Sequence, residues 1–151
     1  MSVAQRAALG FLAGVLGVLM VHQVIWALLH LAGMMPPAYP MRAAGPLHVP
    51  LVADLAFWGG VWGLAFGLAL PHLPPAPAWL LGLGLGAAAI LMAWFVVAPL
   101  HDAPVGHGFS RNGVIISLVL NLPWGIGVGL FSAALMGRAF PRDRRSARKL
   151  A

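Results

Sequence analysis

Apolar residues fill four long blocks of this chain, 7–33, 50–70, 78–100 and 113–137, and the stretches between them are short and rich in proline or polar side chains. A helix needs about 20 apolar residues to cross a hydrocarbon core, and each block is long enough. The interruptions carry the turn signals: residues 34–49 hold Pro36, Pro37, Pro40 and Pro46, residues 71–77 read PHLPPAP, and residues 101–112 read HDAPVGHGFSRN. The pattern predicts an all-α polytopic membrane protein, a four-transmembrane-helix bundle over 1–137, followed by a tail over 138–151.

Composition narrows the class further. Of 151 residues, 61% are hydrophobic and 8% charged, whereas a soluble domain is about a quarter charged, so an ordinary soluble fold is excluded. The first block outruns the core of a cleavable signal peptide and no small-residue cleavage site follows it, which predicts that it is retained. Absence of cysteine removes disulfides, thiolate nucleophiles and iron–sulfur or thiolate-zinc sites.

Net charge is +6, but six of the nine basic residues, Arg138, Arg142, Arg144, Arg145, Arg148 and Lys149, belong to the tail. A basic cluster directly after an apolar block marks the cytoplasmic side and suits anionic lipid headgroups. Without interleaved aromatics it does not read as a nucleic-acid site. With Arg6 ahead of the first block and an even number of crossings, both termini are expected in the cytoplasm and the loops over 34–49 and 101–112 outside. A bias toward Ala, Gly and Arg, with one Lys and no Glu, suits a GC-rich bacterial genome and hence a bacterial inner membrane.

Glycines recur at four-residue steps: Gly10 and Gly14, Gly59, Gly63 and Gly67, Gly82 and Gly86, then Gly125, Gly129 and Gly137 with Ala133 between them. Such strips lie on one helix face and predict close helix–helix approach, the main packing device in lipid. Trp62 and Trp124 fall beside them near mid-block and are expected first to fill the adjoining grooves and second to offer rings for a ligand to stack on. Placing Leu19-Met20 on Leu91-Met92 and Trp62-Gly63 on Trp124-Gly125 also sets Gly67 on Gly129, the signature of two tandem helical hairpins in the same orientation.

Polar groups at membrane depth are where function is first sought. His22 and Asn121 fall about 3 and 5 Å outward of their block centres at 1.5 Å per residue. Together with Gln23, His30, Asp54 and Ser117 they form a candidate polar pocket opening outward. Gln23 and His30, seven residues apart, share a helix face expected to point into the bundle, with His22 at its edge. His22 or Gln23 is expected near Asn121, Asp54 near His30 or His101, and a kink at Pro123.

Three chemistries compete for these residues. They bind the helices together in register, or relay a proton or ion, or hold a metal through His30, His48, His101, Asp102 and His107, with Met34, Met35 and Met41 nearby. A haem is disfavoured, because only His30 and His101 share a depth and both sit at the boundary. No paired carboxylates, nucleophile elbow or HExxH occur, so no enzyme and no resident cofactor are expected. The reading is a non-catalytic subunit, assembly or accessory factor of a larger membrane system, bound to lipid and to partner subunits or copies of itself. The alternative is an oligomeric permease for a proton, small ion or metal using His22 and Asn121.

Overall fold

The computed structural model describes residues 1–45 and 48–137, the side chain of residue 107 excepted. Arg138, Arg142, Arg144, Arg145, Arg148 and Lys149 therefore lie outside the described residues. The described residues form four long helices, Val3–Leu31, Leu51–His72, Ala78–Leu100 and Arg111–Met136, each long and apolar enough to cross a membrane. The first starts four residues ahead of its apolar block because Ser2 and Gln5 form a reciprocal capping box. The Ser2 hydroxyl accepts from the Gln5 amide at 3.1 Å, and the Gln5 side chain accepts from the Ser2 amide at 2.8 Å. Ser110 caps the fourth helix, accepting from the Gly113 amide at 3.2 Å.

The glycine strips bring backbone onto backbone. In the first hairpin a Cβ added at Gly10 would fall on the Gly63 carbonyl, one at Gly14 on that of Gly59, and one at Gly67 on that of Arg6. In the second, Gly82 meets Gly125, Gly86 meets the Asn121 carbonyl, and Gly129 meets Ala78 in the same way. Adding 72 to first-helix numbers and 62 to second-helix numbers converts each of the first three pairs into one of the second three. These are the offsets at which Leu19-Met20 meets Leu91-Met92 and Trp62-Gly63 meets Trp124-Gly125. The two hairpins thus share one seam, in which small residues admit the close approach that dispersion and weak Cα–H···O contacts need.

Between hairpins the packing is uneven. The first helix meets the fourth where Gly17 faces Val128 and Trp124 and Gly127 faces Val21. The second and third helices scarcely touch. The four therefore run in the order second, first, fourth, third, with a cleft where the ring fails to close. Val18, Phe66, Leu70, Leu85, Trp124 and Val128 fill the main core, and Trp26, Leu29 and Leu120 form a second cluster toward the loop end.

Two features were not expected from the apolar pattern. The first and third helices each contain a π-helical stretch, Gly17–His22 and Ala93–Val97, where the backbone bonds back five residues instead of four. The loop after the first helix also forms a minimal antiparallel pair, Ala43–Ala44 with Val49–Pro50, just ahead of the second helix.

Candidate functional site

The stripe on the first helix is occupied, but not from within the bundle. The loop folds back along it: the Trp26 indole donates to the Pro36 carbonyl at 2.8 Å, His30 Nδ1 lies 2.8 Å from the Met35 carbonyl, and the Tyr39 amide donates to Gln23 Oε1 at 2.7 Å. Tyr39 also donates its hydroxyl to the Leu19 carbonyl at 2.8 Å. That acceptor is free because the Gln23 amide bonds back to Val18, at the end of the π-helical stretch, and passes over Leu19. His30 is thereby exposed on the loop side instead of turned into the bundle with Gln23, whereas Gln23 is fully buried, its Oε1 given to the loop and its Nε2 without a partner among the described residues. A proline-rich loop has backbone groups of its own to satisfy, and the stripe is the nearest set of partners.

Asp54 is bonded to neither of the histidines named for it. In the first turn of the second helix, it lines a groove of about 330 Å³ with Gly45, Val49, Phe57 and Trp58. Among the described residues it makes no hydrogen bond or ion pair. His30 is engaged by Met35, and His101 ends the third helix, its amide bonded to the Val97 and Ala98 carbonyls. No group of three His, Asp or Glu side chains forms among the described residues, so His30, His48, His101 and Asp102 are not brought together; the side chain of His107 lies outside them. Ser117 is likewise used elsewhere, accepting from the Trp94 indole at 3.3 Å.

His22 and Asn121 do converge. Next to Gln23 in the first helix, His22 is 9% exposed, its ring 5.9 Å from that of Trp26. Asn121, two residues before Pro123 in the fourth helix, donates its amide to the Ser117 carbonyl at 2.9 Å. Both line a cavity of about 170 Å³ to which every helix contributes, with Trp58 and Trp62 from the second, Ala93 from the third and Trp124 from the fourth. No Lys, Arg, Asp or Glu lines it.

Two polar atoms around this cavity are buried without a partner, His22 Nδ1 and the indole nitrogen of Trp124, itself only 3% exposed. Each such group in an apolar interior is destabilising by roughly 1–3 kcal/mol, so both call for an explanation. Reading Trp124 as packing first and as a ligand-stacking ring second left out its N–H. The available signal was its place directly after Pro123 and about one turn beyond Asn121, opposite glycines: a Cβ at Gly17 would come within 3.1 Å of that nitrogen and one at Gly59 within 3.6 Å.

The cavity adjoins the cleft between the second and third helices. Trp58 and Trp62 also line a groove of about 380 Å³ with Met92 and Val97, and Trp62 a third of about 480 Å³ with Phe66, Leu81 and Leu85. Comparison with known proteins gives no matching family model, no matching curated protein and no matching solved structure.

Proposed function

We propose that this chain is a multi-pass protein of a bacterial inner membrane, with both termini and its basic 138–151 segment on the cytoplasmic side. In this reading it is a non-catalytic accessory or assembly subunit of a larger membrane system. Its working part is the cleft between the second and third helices, which takes up an amphipathic molecule sideways from the bilayer. The observation that carries the reading is the pair of unpartnered buried groups, His22 Nδ1 and the Trp124 N–H, at the polar end of an otherwise apolar cleft. Ligand sites are commonly of this kind, mostly apolar with a few converging polar groups.

The permease reading draws on the same two residues, His22 and Asn121, but the half nearer the termini gives it little. There Ala13, Leu70 and Val128 are wholly buried, and Ser132 is the lone hydroxyl among them. Reconstitution separates the two. Liposomes bearing the full chain are expected to pass protons and small ions no faster than empty ones, while mass spectrometry of the purified protein finds about one lipophilic molecule per chain. Flux that disappears with His22→Ala and Asn121→Ala would establish the permease instead.

A further inference from the structure

Resting on the cleft reading above, the identity of the occupant follows from what the cavity offers. At about 170 Å³ it is close to the roughly 150 Å³ that encloses one benzene ring, so the head of the ligand is a single ring. Without a charged side chain in the lining, an ionised headgroup would be buried unpaired, which excludes a phospholipid or fatty-acid head. An indole N–H only donates, so the group that meets Trp124 is an acceptor, and His22 Nδ1 can supply a second donor to the same ring. Trp58 and Trp62 line both the cavity and the adjoining groove, and so supply aromatic rings for a flat ring to pack against. Beyond them the two apolar grooves offer room for a hydrocarbon tail.

We infer that the cleft binds a neutral, carbonyl-bearing ring on an apolar tail, the chemistry of a membrane quinone. The inference concerns binding alone and includes no redox step. A helix from a second copy or a partner fits the site less well. At about 10 Å across it cannot enter a one-ring cavity, and its backbone groups, already bonded within the helix, would leave His22 and Trp124 unmet.

The test uses the full chain in lipid nanodiscs of fixed composition, titrated with decylubiquinone and followed by tryptophan fluorescence quenching, with native mass spectrometry for stoichiometry. Saturation at one quinone per chain is expected. Trp124→Phe keeps the ring and loses the N–H, His22→Leu keeps the bulk and loses the ring nitrogens, and each should raise the midpoint at least tenfold. Trp79→Phe, outside the cleft, should leave it unchanged. Because binding is read on variants whose helicity and melting temperature are measured first, a folding defect is separable from a lost contact. Equal competition by decanol or dioleoylglycerol would overturn the quinone assignment and leave the cleft reading standing. Failure of all three probes to saturate would overturn both. Crosslinking of two copies through Met92→Cys that excludes quinone would assign the cleft to a second chain.

Discussion

The two hairpins share a seam but fasten their loops by different chemistry. Each sets an aromatic residue of positive φ against the π-helical stretch of the helix before it, Tyr39 at φ 51° in the first and Phe109 at φ 50° in the second. Tyr39 is held by hydrogen bonds to Gln23 and Leu19, whereas Phe109 is held by its ring alone, edge-on to Trp94 at 5.5 Å and tilted against Phe95 at 6.4 Å. Backbone contact is thus what the halves have in common, and side-chain polarity is free to differ. Two of the buried polar atoms that neither loop uses, His22 Nδ1 and the Trp124 N–H, lie where the halves meet. Position 22 in the first half answers to Trp94 in the second, so the imidazole is a departure from the repeat, whereas Trp124 answers to Trp62 and its N–H belongs to a residue that both halves carry.

The largest effects should come from the shared seam. Gly63→Leu and Gly125→Leu each drive a side chain into the facing backbone carbonyl, of Gly10 and Gly82 respectively, where no rotamer change gives relief. Each is expected to destabilise by about 3 kcal/mol or more, and by similar amounts if the seams are equivalent. Gly84→Leu is the control, since a Cβ there meets nothing within 4 Å, and it should shift stability by less than about 0.5 kcal/mol. Reversible unfolding in mixed micelles measures all three. Unequal losses at Gly63 and Gly125 would break the equivalence of the halves.

Next comes the difference between the loops. Tyr39→Phe strands the Leu19 carbonyl and should lower stability by about 1 kcal/mol while speeding amide exchange over residues 34–41 and sparing 101–109. Phe109→Leu should do the reverse. The fully buried pair Leu70 and Ser132, related by the same offset of 62, sharpens the comparison within the core. Ser132 Oγ has no partner, so Ser132→Ala should hold stability level or raise it by up to about 1 kcal/mol. A loss of that size would mean that the hydroxyl is bonded in the working protein.

Much of this architecture is legible in the sequence, because its code is coarse. Block length gives the helices, prolines give the breaks, and glycine at four-residue steps gives the seam, down to Gly63 and Gly125 occupying the same register. The convergence of His22 and Asn121 was legible for a similar reason, both being polar at similar depth in apolar blocks. The loop clamp was not. Trp26 and His30 bond to the carbonyls of Pro36 and Met35, and a carbonyl is a partner that every residue offers, so no letter in the sequence marks it. The π-helical stretches were hidden too. They shift the register of bonding by one residue without a composition of their own, yet one of them releases the Leu19 carbonyl that Tyr39 takes.

The smallest expected effect tests whether a lone carboxylate carries any of the difference between the halves. Asp54 corresponds to Ile116, which packs against the cluster of Trp26, Leu29 and Leu120, whereas Asp54 borders an apolar groove beside Gly45. A charge with no hydrogen bond or ion pair among the described residues gains little from its position and is tolerated where water or headgroups reach it. Asp54→Asn, measured by unfolding at pH 7, should therefore move stability by less than about 0.5 kcal/mol. Asp54→Ile should be neutral or slightly stabilising, since it gives the first half the residue that the second already has. A loss above about 1 kcal/mol in both variants would show that the carboxylate is paired, and would place a polar tie in the first half that the second lacks.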